Sequence, residues 1–252
     1  MHTKESLMKQ IEQLGIAGKG TLLMHSSMKS IGPVEGGADT VLDALTAHMR
    51  EGLLVLPTHT WSYIKADNPK FHVASSPSCV GILSERFRQR PGVVRSWHPT
   101  HSVAALGRDA LAFTADDHRF DTPCARGSAW GKLLDRGATI LLVGVDLRRN
   151  TFIHGVEEWA DIPGRLTDEP ELLYTVLPDG TEIPVPSRRH CGLSWHQHFW
   201  KVDEVLEEKG AMRKGQLGDA VVRVCDAAAV ANVITDMLRD NPDLFSDNNP
   251  LP

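Results

Sequence analysis

The chain has 252 residues, 41% of them hydrophobic and 23% charged, with 21 Gly and 15 Pro, an average globular composition at a length where folding buries about three quarters of the unfolded surface without disulfide or metal staples. Its formal net charge of −5, from 27 Lys+Arg against 32 Asp+Glu, excludes a general nucleic-acid binder, which needs a basic surface against the phosphate backbone, and suits a cationic substrate. The four cysteines Cys79, Cys124, Cys191 and Cys225 form no C-x-x-C pair and read as reduced thiols. The N-terminus has no signal architecture, and no apolar window approaches the roughly 18 residues of a membrane span, so a soluble cytoplasmic protein without membrane partners is expected.

Leu7, Met8, Ile11 and Leu14 form one helical stripe over residues 5–14, and Gly15 to Gly20 breaks it before the short apolar run 21–24, a strand. Residues 40–49 return to helical spacing through Val41, Leu42 and Leu45, and 53–56 is a second buried strand, completing a βαβ unit. Residues 58–77 have no period and read as a long functional loop. Ser78 is placed to cap a helix reaching Gln89, 93–95 and 103–106 look like strand pieces, 129–135 like a helix, and 139–144 like a buried strand. Asn150 is placed to cap a helix to Trp159, 172–185 reads as a hairpin about Pro178-Asp179-Gly180, and Asp226 caps a last helix to Leu238. This alternation predicts a layered α/β/α fold with a mixed central sheet and an appended β-hairpin, in one domain over 1–240. The tail 241–252, with three prolines, is expected to leave the body and fray.

Four constellations bear on chemistry. His25-Ser26-Ser27-Met28-Lys29-Ser30-Ile31-Gly32, followed by Gly36-Gly37 and a helix, places hydroxyls and small residues between a strand end and a helix N-terminus. Anions bind such places, although most Ser/Gly loops of this kind are turns and caps, and this one is neither Walker A nor G-x-G-x-x-G. In the helix after Asn150, Glu157 and Glu158 stand three and four residues beyond His154, so either carboxylate can reach the imidazole and stabilise its protonated form, as a general base requires. The same spacing also describes a solvated helix face. His98 with His101, and His190-Cys191 with His196 and His198, offer nitrogen and sulfur ligands at no standard metal spacing. Gly192-Leu193-Ser194-Trp195-His196 misses the G-x-S-x-G nucleophile pattern at its last position.

Taken in order, the motifs resemble the aminoglycoside 3-N-acetyltransferase family, acetyl-CoA-dependent antibiotic acetyltransferases distinct from the GNAT fold. The likeness rests on Met24-His25-Ser26-Ser27 with Gly32-Pro33-Val34 and Gly36-Gly37-Ala38-Asp39-Thr40-Val41, then Leu56-Pro57-Thr58-His59-Thr60, then Arg95 through Gly107 with Trp97-His98-Pro99-Thr100-His101 at its centre. It continues through Gly127-Ser128, Leu142-Val143-Gly144-Val145 and Asn150-Thr151-Phe152-Ile153-His154-Gly155-Val156-Glu157-Glu158, and spans roughly residues 5 to 240. Ala129 follows Gly-Ser where many relatives carry Pro, and the chain is compact beside the larger resistance enzymes.

The resemblance implies acetyl transfer from acetyl-CoA to an amino group, most naturally the 3-amino group of a 2-deoxystreptamine aminoglycoside, by direct attack with His154 as base, Glu157 as its partner and Thr151 as an oxyanion donor. It implies that acetyl-CoA is held by His25, Ser26, Ser27, Ser30, Gly32, Val34 and Gly37, with the neighbouring segments contributing Thr58, Thr60, Ser96, His98 and Ser102. Trp61, Tyr63 and Asp67 in the long loop are candidate acceptor contacts, and Asp168 and Glu169 an acidic patch for a polycationic acceptor. No metal is expected. The competing readings are a metal-dependent hydrolase built on the His/Cys clusters and a catalytically silent CoA-binding protein.

Overall fold

The computed structural model describes residues 1–191 and 195–251. In chain order it forms α1 (Lys4–Gln13), β1 (Thr21–Ser26), α2 (Met28–Ile31), α3 (Ala38–His48), β2 (Leu53–Pro57), β3 (Lys70–His72), α4 (Ile82–Arg88), β4 (Val94–Arg95), β5 (Val103–Gly107), α5 (Ala110–Thr114), α6 (Ala129–Asp135), β6 (Thr139–Val143), α7 (Thr151–Trp159), β7 (Glu171–Val176), β8 (Glu182–Ser187), a 3₁₀ run (Trp195–Val202), α8 (Asp203–Glu208), β9 (Met212–Leu217), β10 (Ala220–Asp226) and α9 (Ala227–Asp240). The central sheet has seven strands in the order β4-β5-β2-β1-β6-β10-β9. β1 pairs in parallel with β2 and β6, and the outer pairs are antiparallel.

Alternation along the inner strands sends successive side chains to opposite faces. Leu22, Met24, Leu54, Leu56, Leu141 and Val143 pack with α1, α3 and α4. Leu23, Val55, Ile140 and Leu142 pack with α6, α7 and α9. Both faces are covered, so these strands read as unbroken apolar runs, and the result is the expected α/β/α layering with a mixed sheet. The expected hairpin is β7 with β8, and β3 joins it in parallel to make a second, three-stranded sheet. No helix among the described residues is long and apolar enough to cross a membrane.

Several local expectations change. Residues 58–77 contain a strand, β3, and the hairpin of β9 and β10 extends the central sheet where no strand was expected. Ser78 does not cap α4, which begins at Ile82; its backbone N–H donates to Oε2 of Glu85 at 2.7 Å. Asn150 occupies the cap position of α7, but its buried amide makes no cap bond. The segment after residue 240 returns to the body instead of fraying. Leu244 and Phe245 are buried in the core, Phe245 packs edge-on to Phe199 at 4.8 Å between centroids, and Lys201 donates to Asp247 at 2.9 Å. Two large apolar side chains in a polar tail suffice to dock it, because each carries roughly 1.5–3 kcal/mol of burial.

Candidate active site

Parallel strands β1, β2 and β6 end together, and the crevice beyond such carboxyl ends is where open α/β sheets bind ligands. Here it is a cavity of about 540 Å³. β1 delivers His25 and Ser26 to it, β2 delivers Pro57 and then His59 and Trp61, and the turn after β6 delivers Val145, Arg148 and Arg149. Opposite stand Thr151 and His154 from α7, Thr100 and His101 from the approach to β5, Arg189 and His190 after β8, and His196.

The sequence of α7 explains how its polar residues reach this wall. Phe152, Ile153 and Val156 bury one face in the core. Gly155 lets the Trp159 indole fold across the helix, since a Cβ there would stand 2.7 Å from its ring. The indole N–H donates to the Cys124 carbonyl at 2.8 Å. His154 and Glu157, three residues apart, then share a face: Nδ1 of His154 is 3.3 Å from Oε2 of Glu157. The contact is not aligned as a hydrogen bond. Arg165 holds the other oxygen, its Nε donating to Oε1 of Glu157 at 2.6 Å.

Glu158 serves a different imidazole. Its Oε1 is 2.6 Å from Nε2 of His190 and accepts the Cys124 backbone N–H at 2.9 Å. The His190 ring stacks on His154 with centroids 4.2 Å apart and planes 17° from parallel. Both carboxylates thus reach an imidazole, Glu157 that of His154 and Glu158 that of His190. Burial lowers the pKa of His154, assisted by His190 and opposed by Glu157. Burial also lowers His190 to about 4 and raises Glu158 to about 7. His25, brought down to about 3 by burial, and His59, lowered well below the ordinary range for the same reason, complete a wall of neutral imidazoles.

Other expected residues lie elsewhere. Ser27 and Ser30 spend their hydroxyls on each other and on the Gly144 carbonyl, tying β1 to the turn after β6. Gly32 packs against Asp219, whose carboxylate a Cβ would meet at 2.0 Å, Val34 bridges to His2, and Gly37 precedes α3; none of the three lines the cavity. Thr58 and Ser102 hydrogen-bond each other and receive the buried Arg95 guanidinium. Thr60 donates to the Pro99 carbonyl, Ser96 accepts from Val103, and Nδ1 of His98 accepts the backbone N–H groups of Thr100 and His101. These five brace the loops that carry His59 and His101. Tyr63 donates to the Pro77 carbonyl and borders a separate groove with Asp67, which pairs with Lys65. Asp168 and Glu169 are exposed and outside the cavity.

Sequence reasoning passed over Arg165, a cation shortly before the acidic pair Asp168 and Glu169, and His59, although it lay inside a quoted motif. Of the histidines considered as ligands, His98 braces its loop, whereas His101, His190 and His196 line the cavity. Among the described residues the one group with ligand-type atoms within 4.8 Å of each other is Cys124, Glu158 and His190. Nε2 of His190 pairs with Oε1 of Glu158, the Cys124 thiol instead meets the Thr151 carbonyl at 3.8 Å, and that thiol is pushed well above its ordinary range by burial and the nearby carboxylates. Ser194, the nucleophile of the near-miss hydrolase pattern, lies outside the described residues.

Residues 23–239 match the family model described as aminoglycoside 3-N-acetyltransferase. Aminoglycoside N(3)-acetyltransferase IV from Salmonella sp is 30% identical over 247 residues, covering 96% of this chain and 89% of its own. Two solved structures share the architecture. AAC-IIIb in its binary complex with CoASH has a TM-score of 0.85 at 26% identity, covering 100% of this chain and 99% of that one. A histidine-to-alanine mutant of aminoglycoside acetyltransferase AAC(3)-IVa in complex with a gentamicin has 0.84 at 28%, covering 96% and 90%. With ordered motifs, layered fold and full-length likeness in agreement, the chain belongs to the aminoglycoside 3-N-acetyltransferase family of acyltransferases.

Proposed function

We propose that the protein moves an acetyl group from acetyl-CoA to the 3-amino group of a 2-deoxystreptamine aminoglycoside, with His154 as general base. The observation that carries this reading is an imidazole on the cavity wall, neutral through burial and backed by the Glu157 carboxylate that Arg165 holds. An ammonium has no lone pair, so it must lose one proton before the amine attacks the thioester carbonyl and a second as the C–N bond forms, and His154 is the base at the reacting nitrogen. Glu157 then offsets the charge that His154 gains, which is the usual task of a carboxylate behind a catalytic imidazole. Attack is direct, with no acyl-enzyme. Thr151 opens α7 beside His154 on the cavity wall, and in this reading its hydroxyl donates to the developing oxyanion.

The residues present fit acetyl-CoA. His25 and Ser26 stand at the end of β1, and three arginines line the cavity of a chain whose net charge is −5. Arg148 and Arg189 pair with Asp146 and Glu171, whereas Arg149 has no carboxylate partner among the described residues and suits a phosphate. Trp61, 44% exposed at the cavity edge, offers an apolar face to an acceptor sugar. The gentamicin in the related structure supports an aminoglycoside as that acceptor.

A CoA-release assay over a panel of aminoglycosides with and without the 2-deoxystreptamine ring, run on wild type and His154→Ala, tests the reading. We expect turnover with the deoxystreptamine compounds and a loss of about 10²–10⁴-fold in kcat for the variant, with acetyl-CoA affinity kept. Wild-type turnover by His154→Ala rejects the base; release with none of the panel rejects the acceptor.

A further inference from the structure

Acetylating an ammonium requires two protons to leave one nitrogen. In balance, R–NH3⁺ and CH3CO–S–CoA give R–NH–COCH3, HS–CoA and H⁺: a C–N bond forms, the C–S bond breaks, one proton ends on sulfur and one in solvent. The first proton leaves before attack and the second as the C–N bond forms. A single imidazole holding the first proton is not available for the second.

α7 carries two carboxylates in succession, and each faces its own imidazole. Glu157 stands behind His154 at 3.3 Å and Glu158 behind His190 at 2.6 Å. The two rings are stacked at 4.2 Å and line the same cavity. In each ring the nitrogen turned away from its carboxylate, Nε2 of His154 and Nδ1 of His190, makes no hydrogen bond to the described residues. Glu158 is fixed in turn by the Cys124 backbone N–H. A buried carboxylate held this closely on an imidazole is costly to assemble merely as packing, and here its open end meets the cavity.

We propose that His190, held by Glu158, is a second proton acceptor of this site: it takes the first proton from the acceptor's ammonium and passes it to solvent, while His154 takes the second as the C–N bond forms and returns it to sulfur as the C–S bond breaks. This rests on the reading of His154 as base and acetyl-CoA as donor.

The surroundings favour that use. From α7, His190 faces His154, Glu157 and Glu158; from the approach to β5, His98 and His101; from the segment after β2, His59; from the 3₁₀ run, His196. Burial keeps all of these imidazoles below their ordinary pKa, so at neutral pH they are uncharged; the carboxylates Glu157, held by Arg165, and Glu158 stand beside His190, and Arg148, Arg149 and Arg189 line the same cavity. As pH rises through about 7 Glu158 ionises; Nε2–H of His190 then donates to it and Nδ1 is left with a free lone pair.

The test is kcat/KM for one aminoglycoside from pH 6 to 9 in wild type, His190→Gln, Glu158→Gln and His154→Ala. Just above pH 7, where Glu158 is ionised and the acceptor is still largely an ammonium, His190→Gln is expected about 10²-fold below wild type, and the deficit narrows towards pH 6 as Glu158 takes up its proton. By pH 9 bulk solvent supplies the free amine, and the deficit should shrink to less than about threefold. Glu158→Gln keeps an oxygen for Nε2 and should show the same trend at smaller amplitude, so it reads the pair even where His190→Gln does not fold. A deficit constant over the whole pH range marks a structural or positioning role and overturns the proposal, as does no deficit at all. His154→Ala is expected to lose rate at every pH. If it does not, the base assignment fails, and the shape of the His190→Gln deficit still decides the second acceptor separately.

Discussion

Nε of Arg165 stands 2.6 Å from Oε1 of Glu157, and neither side chain is more than 4% exposed. One guanidinium therefore holds the carboxylate that faces His154, and it also donates to the Pro242 carbonyl at 3.0 Å, which ties the active-site helix to the chain beyond α9. Removing one member of a buried ion pair strands the other charge in a medium that solvates it poorly. Arg165→Met is therefore expected to cost about 3–5 kcal/mol in urea unfolding and, in whatever fraction folds, to lower kcat with acceptor KM kept. Arg165→Lys retains the charge without the planar fork and should recover more stability than rate. A stable, fully active Arg165→Met would remove this pair from the machinery.

That pair also marks where the sequence stops being legible. Spacing along one helix brought His154 and Glu157 together on paper, because three residues make nearly a turn. Arg165 and His190 join them across loops, and no periodicity reports a contact made that way. The fold divides similarly. β1, β2 and β6 are buried on both faces and read as plain apolar runs, whereas β9 is an edge strand carrying Arg213, Lys214 and Gln216, and such charges are what an unpaired edge requires. β3 is three residues long with only Phe71 buried, too short for alternation to register. Phe245 is hydrophobic in a segment of amides, acids and prolines, and composition averaged over the segment concealed it.

Trp130 is fully buried under the cavity. Its indole N–H donates to the His101 carbonyl at 3.1 Å, and its ring packs edge-on to His59 at 5.6 Å. Trp130→Ala should cost about 3–5 kcal/mol. Trp130→Phe keeps most of the volume but leaves the carbonyl without this donor, at about 1–3 kcal/mol. If His25 and His59 owe their positions to this ring, Trp130→Phe also raises KM for acetyl-CoA, measured by initial rates at saturating acceptor; an unchanged KM would confine Trp130 to stability.

The buried histidines make stability depend on pH with a definite sign. Burial holds His25 and His98 at about 3 and His190 at about 4, and pushes His59 and His101 well down, against about 6.5 in the unfolded chain. Between these values the unfolded state binds more protons, so stability is complete above about pH 6.5 and falls as the pH drops below it. Asp117, raised to about 6, and Glu158, raised to about 7, act in the opposite sense because their folded forms keep a proton the unfolded chain has released. Five histidines outweigh two carboxyls. Urea midpoints should therefore decline steadily from pH 6.5 to 4.5, and a flat profile would mean that the imidazoles are protonated in the fold.

Asp168 and Glu169 follow Arg165 on an exposed stretch before β7 and do not line the cavity. Their charge reaches a polycationic acceptor only through solvent, where screening is strong beyond about 8 Å at 0.15 M salt. Trp61 stands on the cavity wall itself. Trp61→Ala is therefore expected to raise acceptor KM several-fold, whereas replacing Asp168 and Glu169 together with amides should change it by less than about twofold at that salt concentration. A general attraction between the acidic protein and the cationic acceptor still makes KM rise with ionic strength, and it should do so in parallel for wild type and the double amide variant. Initial rates over a salt series with one aminoglycoside separate the cases. Should the double amide flatten the salt dependence and raise KM at low salt, the bound acceptor extends beyond the cavity to the acidic stretch, and those two carboxylates belong to its site.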